Sequence, residues 1–172
     1  MEKLWAPWRL EYIESADDIR ECIFCQASTN PIEEHNSLLI HQGETAVVLL
    51  NKFPYAPGHL LIAPTRHCDT FGDLCAKESS EIHTLAAQGM ASLSHISKPH
   101  GFNVGWNLGR SAGAGIEDHI HLHVVPRWTG DTNFMPVLAD TRVMPEHLAD
   151  SRAKLLAAWK DPKLSTLQDT ET

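Results

Sequence analysis

The chain lacks any run of about 18 apolar residues, the minimum for a membrane-spanning helix, so no membrane partner is expected. Cations are scarce: 14 Lys and Arg stand against 22 Asp and Glu, a formal net charge of −8. That balance excludes a non-specific nucleic-acid binder, which needs a basic face. It leaves room for a small phosphate-bearing substrate, because a few cations and backbone N–H groups can serve locally inside an acidic protein. The opening Met1-Glu2-Lys3-Leu4-Trp5 has no basic stretch and no apolar core after it, so no secretory signal is read and a cytoplasmic location is expected. Cysteine is limited to positions 22, 25, 68 and 75. In a chain read as cytoplasmic, the Cys22-x-x-Cys25 spacing suggests metal or redox chemistry rather than a structural disulfide. Cys68 and Cys75 do not form a second such pair.

Repeats and linker-like stretches are also missing, and 172 residues are enough for about one core. Residues 1–21 mix Trp5, Trp8 and Tyr12 with charge and read as an arm packed on the domain; residues 27–36 read as a polar loop. Apolar runs from Ser37 to His41 and Thr45 to Asn51, around Gln42-Gly43-Glu44, predict a hairpin. Pro54-Tyr55-Ala56-Pro57-Gly58 is turn chemistry, and His59 to Ala63 is a third strand. The period then changes: Ile82, Leu85, Ala86, Gly89, Leu93 and Ile96 mark one helical face, with Ser79 and Ser80 as candidate caps and Pro99 and Gly101 as the stop. Phe102 to Leu108 and His119 to Pro126 predict two more strands, separated by the flexible run Gly109 to Gly115. A short strand is expected at Phe134 to Leu138 and a second helix at Pro145 to Trp159. The expected class is α+β, one domain on an antiparallel five-stranded sheet with a helix on one face and a C-terminal helix.

Eleven histidines are present, and three of them fall at strict alternation in His119-Ile120-His121-Leu122-His123-Val124-Val125-Pro126-Arg127. Alternation puts the imidazoles on one strand face and Ile120, Leu122 and Val124 on the other, which would cover the helix. Three histidines can be metal ligands, although same-face neighbours on one strand lie ~7 Å apart and need help from other strands to converge on an ion. The preceding Gly105-Trp106-Asn107-Leu108-Gly109-Arg110-Ser111-Ala112-Gly113-Ala114-Gly115 is either an ordinary flexible turn or a backbone cradle for an anion. Beside three aligned histidines the second reading gains weight. A neutral imidazole can attack phosphorus and form a phosphoramidate without a strong base. Trp106 and Trp128 can stack on a base or pack; packing is the expectation.

The His119-x-His121-x-His123-Val124-Val125 motif resembles the signature of the histidine triad (HIT) superfamily. Leu50-Asn51-Lys52-Phe53-Pro54-Tyr55-Ala56-Pro57-Gly58-His59 is similar to that family's ribose-binding strand and turn, and Asn107-Leu108-Gly109 to its phosphate-contacting segment. Leu4-Trp5-Ala6-Pro7-Trp8-Arg9 and Pro99-His100-Gly101-Phe102-Asn103-Val104-Gly105 resemble the bacterial members that phosphorolyse diadenosine tetraphosphate. On this resemblance, residues 22–128 are the HIT domain, 1–21 an arm, 129–160 a C-terminal strand and helix extension, and 161–172 a polar tail. It implies that His121 is the nucleophile, that His119 and His123 flank it, and that His59 supports them. It places ribose at Asn51, with Lys52 beside it, and phosphate at Asn107 and along Ser111, Gly113 and Gly115. The sequence departs from the family where Ala112-Gly113 is followed by Ala114-Gly115 instead of glutamine, in a loop one residue longer.

The resemblance further implies a structural zinc on Cys22, Cys25, His67 and His119, and a homodimer with one continuous sheet. The expected substrate is a purine nucleotide or dinucleoside polyphosphate, cleaved through a nucleotidyl-His121, with inorganic phosphate as a possible co-substrate giving ADP and ATP. Two other functions stay open: hydrolysis of nucleoside phosphoramidates or acyl-adenylates, and a silent nucleotide-binding or zinc-stapled module.

Overall fold

The computed structural model describes residues 22–29, 32, 37–131 and 146–161. The expected arm at 1–21, the short strand at 134–138 and the tail beyond 161 lie outside the described residues. Within them the elements run α1 (Ile23–Thr29), β1 (Leu39–Gln42), β2 (Ala46–Leu50), β3 (Leu60–Pro64), α2 (Ala76–Ser97), β4 (Gly101–Trp106), β5 (Leu122–Arg127) and α3 (Leu148–Trp159). Single 3₁₀ turns occur at Phe71–Asp73 and Arg110–Ala112.

The five strands form one sheet in the order β1-β2-β3-β5-β4, with every pairing antiparallel. All residues of β2 and β3 are buried, because both sheet faces are covered. Alternation sorts their side chains. Val48, Leu50, Leu60, Ile62, Leu122 and Val124 face a core shared with Ile82, Leu85 and Leu93 of α2 and with Leu155 and Trp159 of α3. Val47, Leu49, Leu61 and Ala63 face a second core with Phe24 and Ala27 of α1. The helix-facing set on β5 is the apolar set expected from alternation, so His121 and His123 emerge toward the smaller core. No helix among the described residues is long and apolar enough to cross a membrane.

Packing explains several differences from the sequence expectation. Residues 27–29 belong to α1 instead of a loop, since Phe24 is fully buried and anchors the turn. The start of α2 is set by Cys75 and Glu78, not by Ser79 or Ser80: Glu78 accepts from the Cys75 amide at 2.9 Å and from Arg66 at 3.0 Å. Glu81, one turn further, accepts from the Glu44 and Thr45 amides and ties α2 to the β1–β2 turn. At Gly89 a Cβ would lie 2.8 Å from Leu60, and Trp159 of α3 covers the same spot. Trp106 packs against the larger core with its ring edge-on to Phe71, and the Trp128 indole donates to the Ser97 carbonyl at 3.1 Å. Trp106 therefore packs, as expected, and Trp128 is half-buried and held by that hydrogen bond.

The strand expected to start at His119 starts at Leu122. The β3–β5 ladder runs Leu60↔Val124, Leu61↔His123, Ile62↔Leu122 and ends there. Two residues on, Pro64 has no N–H to donate, and its carbonyl takes the His119 ring at 2.9 Å. The Ile120 amide turns to the Cys68 carbonyl at 2.8 Å instead. His119 and His121 thus precede the strand, and His123 lies within it.

Candidate active site and metal centre

His121 occupies the middle of a line of buried rings. Its ring centroid is 4.9 Å from that of His123, and both it and His119 lie 5.0 Å from the Phe24 ring. Phe24 is one of the two apolar residues between the cysteines, and the sequence reading assigned it no role. Its signal was there, in an apolar Ile-Phe pair enclosed by the CxxC spacing.

Hydrogen bonds set the tautomer of each histidine. His121 Nδ1 lies 2.8 Å from the His119 carbonyl, which can only accept, so Nδ1 carries the proton and Nε2 keeps its lone pair. The His119 Nε2–H donates to the Pro64 carbonyl, leaving Nδ1 as an acceptor. On the far side, His59 Nδ1 accepts from the Tyr55 amide at 3.1 Å, with the Asn51 side-chain nitrogen at 3.2 Å. The Asn51 amide is oriented by the Phe53 N–H, which donates to Asn51 Oδ1 at 2.9 Å. His59 Nε2 must then be the protonated nitrogen, and it donates to His123 Nδ1 at 2.9 Å. His123 is left with an Nε2–H that is buried and has no partner among the described residues. A buried donor of that kind costs free energy unless a ligand meets it. The Tyr55 ring lies parallel to His123 and close to His59, covering this pair from solvent.

Burial also sets the charge. It pushes His123 down to about 4, with the neighbouring His121 adding to the effect, and it lowers His121, against which the bond to the His119 carbonyl acts. His119 is likewise pushed down to about 4, mainly by burial. The rings are neutral near pH 7, the state in which Nε2 of His121 can act as a nucleophile.

The four residues expected at a metal come together. The ligand atoms of Cys22, Cys25, His67 and His119 all lie within 4.8 Å of one another, with Cys22 Sγ 3.2 Å and Cys25 Sγ 3.7 Å from His119 Nδ1, and Cys25 Sγ 3.3 Å from His67 Nδ1. The cysteines are three apart at the start of α1, so one helical turn points both sulfurs the same way. Two thiolates and two imidazoles match a closed tetrahedral site, and the tautomer of His119 presents the nitrogen such a site needs. These residues can bind a metal ion.

The expected nucleotide contacts are placed less evenly. Asn51, expected at ribose, follows β2 and touches His59, so it belongs to the histidine cluster. Lys52 is exposed, its ammonium 5.7 Å from the Phe53 ring centroid. Asn107 follows β4 directly, half-buried. In the loop beyond it the backbone turns on itself: the Ala112 and Ala114 amides donate to the Gly109 carbonyl, and the Gly113 amide to that of Arg110. The expected cradle of N–H groups is therefore partly used up, Gly113 included, while Ser111 is exposed and Gly115 half-buried.

Comparison with known proteins agrees with this geometry. The HIT domain profile matches residues 33–130. The AP-4-A phosphorylase of Mycobacterium tuberculosis is 36% identical over 165 residues, 92% of this chain and 85% of that protein. An uncharacterized HIT-like protein of Mycoplasma genitalium is 34% identical over 66% of this chain and 77% of its own length. Among solved structures, a Zn-bound histidine triad family protein from Mycobacterium smegmatis superposes with a TM-score of 0.64 at 24% identity, covering 88% of this chain and 98% of that one. A histidine triad nucleotide-binding protein from Sulfolobus tokodaii gives 0.65 at 22% identity, over 83% and 94%. The solved structures share the fold; the profile and the sequence relatives carry the family, and this chain belongs to the HIT domain family as one of its nucleotide-processing enzymes.

Proposed function

We propose that the protein cleaves dinucleoside polyphosphates, with diadenosine tetraphosphate as the leading substrate, through a nucleotidyl-His121 intermediate. The observation that carries this reading is the pairing of two adjacent rings, 4.9 Å apart between centroids: His121, whose Nε2 keeps its lone pair, and His123, whose buried Nε2–H has no partner among the described residues. His121 Nε2 attacks the phosphorus attached to the nucleoside, the bond from phosphorus to the departing phosphate oxygen breaks, and that oxygen accepts a hydrogen bond from His123. The positive charge on the nucleotidyl-imidazole is stabilised by the His119 carbonyl, which already accepts from Nδ1. An oxygen of inorganic phosphate or water then attacks the same phosphorus, the P–N bond breaks, and neutral His121 returns. With phosphate the products are ADP and ATP.

A neutral His123 is a hydrogen-bond donor and a poor source of a whole proton. A departing polyphosphate is a stable anion and leaves without a proton, whereas the amine of a phosphoramidate must be protonated. This favours the polyphosphate reading over phosphoramidate hydrolysis. The relative named AP-4-A phosphorylase supports the same choice. Zinc is our reading for the metal on Cys22, Cys25, His67 and His119, supported by the donor set and by the Zn-bound structural relative. With all four positions taken by protein it would brace α1 against His119 and supply no chemistry to the substrate. A homodimer is proposed through the edge strand β4, where Val104 is 48% exposed. Light scattering on the full chain checks it.

The deciding experiment incubates the protein with diadenosine tetraphosphate, with and without inorganic phosphate. Phosphate-dependent release of ADP and ATP is expected. ATP and AMP formed at the same rate without phosphate would make the enzyme a hydrolase, and no turnover would remove the enzyme reading.

A further inference from the structure

A substrate with four phosphates brings several negative charges to a site whose chain is itself strongly acidic, and His121 and His123 attend only to the phosphorus being attacked. Something else must meet the distal phosphates. The loop between β4 and the triad is the segment placed to do so. Trp106 pairs with Leu122, so Asn107 continues alongside His121, and the loop returns at His119, two residues before the nucleophile. Both ends of the loop are thus tied to the flank of His121.

That loop does not hold an anion by backbone alone, because the amides of Ala112, Gly113 and Ala114 are turned inward onto its own carbonyls. Its charge comes from one side chain. Arg110 is the only Lys or Arg between Lys98 and Arg127, and Arg127 is held by Asp131 and Asn103 on the β4–β5 edge. Arg110 forms an ion pair with Glu117, across the loop and two residues before His119. Both side chains are exposed, at 76% and 38%. An exposed pair of this kind contributes little to folding and exchanges partners readily. A carboxylate and a phosphate present the same two-oxygen edge to a guanidinium.

We propose that Arg110 binds the distal phosphates of the substrate, releasing Glu117 to do so, and so selects nucleotides with long phosphate chains. Glu117 holds the guanidinium over the loop when no such chain is present. This rests on the nucleotide reading above and adds to it the residue that discriminates phosphate number.

The test measures binding in a His121→Ala background, so that no turnover intervenes, using AMP and adenosine 5′-tetraphosphate as ligands. Adding Arg110→Gln is expected to weaken the tetraphosphate about tenfold, as loss of one charge-assisted contact does, and to leave AMP within about twofold. Arg110→Lys recovers part of the loss, since the charge remains and the two-pronged geometry does not. Glu117→Gln strengthens the tetraphosphate by roughly two- to threefold by removing the competitor. An unchanged ratio of the two affinities in Arg110→Gln overturns the proposal, and so does equal weakening of both ligands, which marks a collapsed loop. Wild-type turnover is assayed in parallel. If polyphosphates bind but are not cleaved, the functional reading fails, while the affinity ratio still decides the role of Arg110.

Discussion

His119 and His123 are each two positions from His121, in the same motif, and their surroundings give them opposite tautomers. His119 donates from Nε2 to the Pro64 carbonyl and turns Nδ1 toward two sulfurs; His123 accepts at Nδ1 from His59 and keeps a buried Nε2–H with no partner among the described residues. One flank can bind a metal ion, and the other presents a buried hydrogen-bond donor. The difference is made by neighbours far away in the chain: Cys22 is 97 residues from His119, and His59 is 64 from His123. Identical side chains in an alternating motif thus take separate tasks once a carbonyl or an N–H reaches them first.

The comparison can be broken at its centre. His121→Ala removes the ring that stands between the two flanks, and turnover of diadenosine tetraphosphate should fall on the order of 10⁴-fold or more. Nucleotide affinity, read by titration, should stay within about threefold. Activity within tenfold of wild type would rule out the nucleophile.

The flanks are then separated by changing one at a time. His123→Gln should lower kcat by about 10²-fold, the usual cost of losing one donor to developing charge, with metal content unchanged. Cys22→Ser should do the reverse. Elemental analysis is expected to find about one zinc per chain in the wild type, one ion per four-ligand site, and little in the variant. Its melting temperature should fall by about 10 °C, as a loss of roughly 3 kcal/mol does in a domain of this size. Should both substitutions move the same observable, the division of labour between the flanks is wrong.

A pH series sharpens the picture of the ligand-facing flank. Burial holds His123 near 4, below its ordinary value of 6.5. Between those values the unfolded chain binds the proton and the folded one does not, so stability rises with pH. The His123 contribution is therefore present in full above about pH 6.5 and lost as pH falls toward 4, on the order of 3 kcal/mol across the window. Chemical denaturation at several pH values should show a shallower slope in His123→Gln than in wild type; equal slopes would mean that His123 is not held neutral by the fold.

The smallest effect expected is at the turn that aims His59. Gly58 has φ +81°, and a Cβ there would sit 2.6 Å from a Leu93 methyl. Gly58→Ala should cost about 1–2 kcal/mol in denaturation, from the left-handed backbone and the crowding together. A neutral result would mean that Leu93 yields without moving the turn.

Alternation alone put His123 on one side of β5 and Leu122 and Val124 on the other, because strand geometry leaves no other choice there; His119 and His121 precede the strand. Apolar period was likewise enough for the five strands, the long helix and the C-terminal helix, and the CxxC spacing for a candidate metal pair. What composition and spacing could not contain was contact between distant segments. Phe24 under His119 and His121, the Asn51–His59–His123 relay, and the inward-turned amides of the loop after Asn107 all arise when separate elements pack. So does the early end of the β3–β5 ladder, where Pro64 lacks the N–H to continue it. Residue type determined which chemistry was present in this protein; only tertiary structure decided which nitrogen of each ring performs it, because a tautomer is set by the partner that the fold brings within hydrogen-bond distance.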